Sequence, residues 1–128
     1  MRTLLDTHVL FWWLTDDPKL SPEARRVVAT DAEGVHVSIA TAWEIAIKVG
    51  AGKRPEATAL IDNFEGEVAA EGFRILPIEV THVRAAGLSG SAHRDPFDRI
   101  LVAQAMIEEL TLVTSDRRLA GMGATCLW

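Results

Sequence analysis

Short apolar runs that end in an acid, each followed by a helix start, constrain this chain more than any other feature. Arg2-Thr3-Leu4-Leu5 ends at Asp6, and Thr111-Leu112-Val113-Thr114 is followed closely by Asp116. Continuous apolar runs of this length are what strands buried on both faces look like. Between them, helical stretches recur. Thr7 to Leu14 is capped by Asp6 or Thr7. Pro22 to about Thr30 has Ser21 as cap and proline at the first position, and Ile39 to about Val49 is capped by Ser38. Glu56 to Glu71 carries Leu60, Ile61, Phe64 and Val68 at helical spacing and stops at Gly72, and Thr81 to Leu88 is a shorter helix. The remaining strands are Val35–Ser38, Arg74–Ile78, where Pro77 marks a strand end or an edge position, and a last one within Ala124–Leu127. A short helical turn leads to Leu119. Strands alternating with helices predict βαβ units: an α/β fold, a three-layer α/β/α sandwich around a parallel sheet of four to five strands.

One stretch joins helix start to chemistry. In His93-Arg94-Asp95-Pro96-Phe97-Asp98-Arg99-Ile100-Leu101-Val102-Ala103-Gln104-Ala105, Asp95 suits the N-cap and Pro96 the first helical position. Asp98 falls in the first turn, where the helix dipole favours a negative charge. The helix is apolar almost all round and runs to about Leu110.

At 128 residues the chain predicts one domain, 1–128, able to bury about two-thirds of its unfolded surface. With 48% hydrophobic and 24% charged residues it is neither disordered nor membrane-spanning; Val9–Leu14 is too short to cross a bilayer, and Asp6 interrupts any signal-peptide core. One cysteine, Cys126, cannot form an internal disulfide, which suits a reducing cytoplasm. A net charge of −5 excludes nucleic-acid coating by charge alone, though not a nuclease that grips through local basic residues and a cation. His8, His36, His82 and His93 are too scattered for structural zinc, and GxGxxG, GxxxxGK[ST] and GxSxG are absent.

In a parallel α/β fold the functional crevice lies beyond the carboxyl ends of the strands. Asp6 and Asp116 follow predicted strands, Asp98 opens the helix leading to the fourth, and Glu44 sits mid-helix in Ala42-Trp43-Glu44-Ile45-Ala46-Ile47. Each has a plainer reading: Asp6 and Asp116 as caps, Glu44 as an exposed partner of Lys48 four residues on. Gathered together, carboxylates raise one another's pKa unless a cation neutralises them, and all-oxygen ligation suits Mg²⁺ or Mn²⁺.

Leu4-Leu5-Asp6-Thr7-His8, the Ser38 to Glu44 helix, the Asp95 to Ala105 stretch and Thr114-Ser115-Asp116 together resemble a PIN domain, and more narrowly the VapC toxins of bacterial toxin–antitoxin pairs. The resemblance spans essentially the whole chain. It implies a Mg²⁺-dependent ribonuclease held inactive by a small cognate antitoxin, with Asp6, Glu44, Asp98 and Asp116 as the acidic quartet and Asp95 as an additional acid. On that basis Asp6 and Asp98 are expected to hold the ion most directly, with Glu44 and Asp116 acting through water. Arg94, Arg99, Lys48, Arg117 and Arg118 are candidate RNA phosphate contacts, and Thr7 and Ser115 candidate hydroxyl contacts. The resemblance, with large apolar residues at Leu10, Phe11, Trp12, Trp13 and Trp43, also predicts a homodimer that binds an antitoxin segment. Two other classes stay open: a phosphotransfer domain using Asp6 as nucleophile, and a binding module without catalysis.

Overall fold

Alternation within each strand decides how the layers form. In the computed structural model, which describes residues 1–90 and 95–128, Leu4 and Leu5 of β1 (Thr3–Leu5) enter different cores on opposite faces of the sheet. Leu112 and Val113 of β4 (Thr111–Val113) divide in the same way. One core gathers Leu5, Val113, and Val35 and Val37 of β2 (Val35–Ser38) against α1 (Thr7–Leu14), α2 (Pro22–Thr30) and α3 (Ile39–Gly50). The other gathers Leu4, Leu112, and Leu76 of β3 (Arg74–Leu76) against Leu101, Val102 and Ala105 of the later helix Pro96–Ile107.

All strand pairs are parallel, in the order β3-β2-β1-β4-β5, with β5 at Cys126–Leu127. The chain winds outward from β1 to β3, then returns to place β4 on the other side of β1. The switch point therefore lies between β1 and β4, and Asp6 and Thr114 are the residues that follow them. β3 is an edge strand with Pro77 just past its end, so both expectations for that proline hold together. Among the described residues no helix is long and apolar enough to cross a membrane.

Two predicted helices are shorter or broken. The stretch from Glu56 to Glu71 is a 3-10 turn followed by α4 (Thr58–Asp62) and α5 (Phe64–Ala70), parted at Asn63 with φ −137° and ψ 45°. The break lets Phe64 and Val68 enter the core, and Asn63 folds over Gly66, where a Cβ would lie 2.6 Å from its side-chain oxygen. The helix from Pro96, preceded by α6 (Val80–Leu88), is α7 and ends at Ile107 rather than near Leu110. Glu109 takes a left-handed φ of 56°, and the Leu110 N–H returns to the Ala105 carbonyl at 2.8 Å. That is the hydrogen bond of a Schellman stop, made here without the glycine that would have announced it.

Of the apolar residues expected at a surface, Leu10 is fully buried, and Phe11, Trp12 and Trp13 are half-buried against the core. Only Trp43 stands out, 60% exposed.

A buried polar bridge sets α3 and α7 against the sheet. The fully buried Gln104 accepts a hydrogen bond from the Ser38 hydroxyl at 2.6 Å, and its amide donates to the Pro77 carbonyl at 3.2 Å. Ser38 also caps α3 through Ala40 N–H. Gln104→Leu keeps the volume but leaves the buried Ser38 hydroxyl without its acceptor, so it is expected to cost about 1–3 kcal/mol in urea unfolding. An unchanged midpoint would show that the bridge carries no stability.

Candidate active site

The ends of β1 and β4 build the centre of the site. Asp6 follows β1 and caps α1, its Oδ1 accepting from Thr7 N–H at 2.8 Å. Its Oδ2 accepts from the Thr114 hydroxyl at 2.7 Å, and that hydroxyl in turn accepts from Asp116 N–H at 3.0 Å. One buried threonine thus couples the two strand-end acids. Asp6 is 8% exposed, and burial pushes its carboxyl above the ordinary value. The hydrogen bonds from Thr114 and Thr7 and the field of His8 oppose that rise, while Glu44 adds to it.

Glu44 enters from the middle of α3. Its Oε1 accepts from the Thr7 hydroxyl at 2.7 Å and its Oε2 from Lys48 Nζ at 2.9 Å. The pair with Lys48 expected of a surface residue is present, yet the glutamate itself is only 13% exposed. Thr7 is buried, its hydroxyl engaged by Glu44 and lying 3.3 Å from Thr41 Oγ1, so it orients an acid and does not face the opening.

The opening of α7 supplies the third side. Asp95 is the N-cap, its Oδ1 accepting from Phe97 N–H at 2.9 Å, and Asp98 lies in the first turn. Phe97 meets Trp43 of α3 edge-on, ring centroids 5.2 Å apart, which fixes the helix carrying Glu44 beside the one carrying Asp98. Asp116 caps α8 (Arg117–Gly121) and is gripped by Arg118, with Nε to Oδ1 at 3.0 Å and Nη2 to Oδ2 at 2.7 Å. Asp116, and more distantly Asp98 and Asp95, hold the Arg118 guanidinium firmly charged.

These residues line one cleft of about 340 Å³: Asp6, Glu44, Asp95, Asp98, Ser115 and Asp116, with His8, Trp12 and Arg118. All four acids of the expected quartet share it, as do Asp95 and Ser115. The basic residues divide. Lys48 reaches Glu44 and Arg118 reaches Asp116, whereas Arg117 is exposed and absent from the cleft's lining. Arg99 turns away: its Nη2 donates to the Gly87 carbonyl at 3.0 Å and to Ser89 Oγ at 3.3 Å, at the end of α6, in a separate, mostly apolar groove. Helix-end carbonyls attract a cation, which explains the choice. His93 and Arg94 lie outside the described residues. Thr114 and Trp12 were not singled out from the sequence as site residues; a strand-end threonine two positions before an acid is the only signal for the first. The Cys126 thiol is pushed up by burial and by Asp6 and Asp116, which keeps it protonated and unsuited to nucleophilic work.

The donor set is hard oxygen throughout, which suits Mg²⁺ or Mn²⁺. Among the described residues no three Asp, Glu, His or Cys side chains converge on one ligation point. That is compatible with Mg²⁺, which keeps several waters and takes one or two carboxylates directly. It would not suit a dehydrated site built wholly of protein ligands.

A parallel α/β sandwich with a carboxylate cleft at its switch point defines the class to which this molecule belongs. The PIN domain family model matches residues 3–124, and the chain belongs to the PIN-domain family. Over 117 residues it is 30% identical to Ribonuclease VapC22 of Mycobacterium tuberculosis, an alignment covering 91% of this chain and 88% of that protein. Its fold is similar to a chain of the DNA-bound VapBC complex of Salmonella typhimurium, with TM-score 0.73, 16% identity, and 99% and 97% of the two chains covered. It is also similar to a chain of VapBC2 from Rickettsia felis bound to a promoter DNA fragment, with TM-score 0.71, 14% identity, and 99% and 98% covered.

Proposed function

We propose that this protein is a Mg²⁺- or Mn²⁺-dependent endoribonuclease, the toxin of a toxin–antitoxin pair acting in the cytoplasm. The observation that carries the reading is the meeting of Asp6, Glu44, Asp98 and Asp116 in one cleft at the switch point. Membership of the PIN family and the likeness to Ribonuclease VapC22 support it.

Asp6 and Asp98 are the residues that would hold the ion, with Glu44 and Asp116 reaching it through water. When bound, the ion would supply Lewis-acid charge to a phosphate oxygen and acidify the attacking water. The chain's own part is orientation. Thr114 and Thr7 aim the Asp6 carboxylate, and Thr7 and Lys48 fix Glu44. Lys48 and Arg118 each neutralise one acid of the cleft. Among the described residues Arg118 is the cation best placed to exchange Asp116 for an RNA phosphate, since its side chain is 71% exposed.

Incubation of total RNA with the protein tests the reading. Cleavage in Mg²⁺ is expected to stop in EDTA and return with excess Mn²⁺; cleavage indifferent to EDTA would end the metal-dependent mechanism. A small VapB-like antitoxin is the partner this function requires. Ile39, Trp43 and Ile47 form an exposed apolar stripe along α3 that suits such a segment or a second copy in a homodimer.

A further inference from the structure

The acidic cleft poses a problem of affinity. Its described lining sets one arginine, Arg118, already engaged by Asp116, against the carboxyl groups of Asp6, Glu44, Asp95, Asp98 and Asp116. Charge attraction from these side chains alone is weak for an RNA strand, so contacts to the uncharged part of the nucleotide would add to whatever a bound cation contributes. Aromatic residues of the same lining offer such contacts. His8 and Trp12, one turn apart on α1, both line the cleft, with ring centroids 5.9 Å apart and planes inclined at 39°. Trp128 continues the row, its ring 5.7 Å from that of Trp12 and inclined at 55°. Trp12 is half-buried and fixed by packing on the core, while Trp128 is 40% exposed and His8 is exposed.

We propose that His8, Trp12 and Trp128 form a stacking wall for a nucleobase flanking the phosphodiester at the acids. The proposal rests on the ribonuclease reading and adds to it where the substrate's base lies. Single-stranded RNA is held in this way when bases leave their own stack for aromatic side chains, and the interaction tolerates any base because each has a π-face. The three rings recruit substrate and position it; the acids do the chemistry. A core-only role for the row would leave RNA binding untouched.

Trp128 is the residue to change, since it is the most exposed tryptophan of the row and its loss opens no buried cavity. With a pool of mixed-sequence single-stranded oligoribonucleotides in Mg²⁺, Trp128→Ala is expected to raise KM about 5- to 150-fold with kcat largely kept. Trp128→Phe should restore most of the loss, and an abasic oligonucleotide should bind parent and Trp128→Ala equally poorly. A folded Trp128→Ala protein with the parental KM overturns the proposal. Fluorescence polarisation of a labelled oligoribonucleotide in EDTA separates the two readings. Tryptophan-dependent binding by a parent that cuts no RNA would sink the nuclease reading and keep the wall. Cleavage and binding both indifferent to Trp128 would sink the wall and keep the nuclease. A parent that neither binds nor cuts RNA overturns both.

Discussion

Asp98→Asn is expected to cut RNA on the order of 10²- to 10⁴-fold more slowly than the parent while remaining folded. The size follows from removing the charge of a proposed ion ligand while the cap of its helix stays in place. Asp98 lies in the first turn of α7, but the cap is Asp95. The helix-dipole share of the stability lost with that charge is about 0.3–1 kcal/mol. Asp6→Asn should fall as far, because its carboxylate faces the same cleft and its amide replacement still presents an acceptor to Thr7 N–H. Asp95→Asn is the contrast. Asparagine caps a helix as well as aspartate, so if Asp95 is mainly a cap, that variant keeps most of its activity. Parental cleavage by folded Asp6→Asn and Asp98→Asn proteins would remove the acids from the mechanism. An equal collapse of Asp95→Asn would move that residue into it.

The second large effect is on stability and reverses with the ion. Burial holds the folded-state pKa of Asp6 above its ordinary value of 3.8, so the folded protein binds that proton more tightly than the unfolded chain. Stability from the protonated carboxyl is present below the ordinary value and is lost as pH rises through the raised one. In EDTA the parent should therefore lose ground to Asp6→Asn across that interval and hold a constant deficit above it. At neutral pH the variant should melt at or above the parent. Mg²⁺ at 100 times its dissociation constant should then return about 2.7 kcal/mol to the parent, and much less to the variant. If Asp6→Asn were instead destabilised in EDTA, the hydrogen bond its carboxylate accepts from Thr114 would outweigh the cost of burying it, and Asp6 would be a structural residue first.

Much of this was legible because it is local. The caps at Asp6, Ser21, Ser38 and Asp95, with Pro22 and Pro96 at the first turns, are written within a few residues of the helices they start. The strand runs carry their own burial pattern, and the parallel sheet follows from their alternation with helices. Where local signals are silent, the structure departs from expectation. α7 stops on Glu109 in a left-handed conformation with no glycine to mark it, and the stretch from Glu56 breaks at Asn63, where burial of Phe64 outweighs continuity of the helix. Arg99 and Arg118 look alike in sequence. One end of α6 captures the first, and Asp116 captures the second.

The acids show the same division at the scale of function. Each was visible as a residue at a strand end, a helix start or a helix middle, and their order along the chain carried the family resemblance. What they become depends on partners far away. Thr114, 108 residues from Asp6, donates to its carboxylate, and Thr7, 37 residues from Glu44, does the same for that acid. The sequence by itself determined the elements, their caps and the cast of carboxylates, since propensity, capping and periodicity act over one or two turns. Only the tertiary structure decided which hydroxyl aims each acid, which arginine faces the cleft and which rings line its wall, because the cleft exists only once strands and helices distant in sequence pack together.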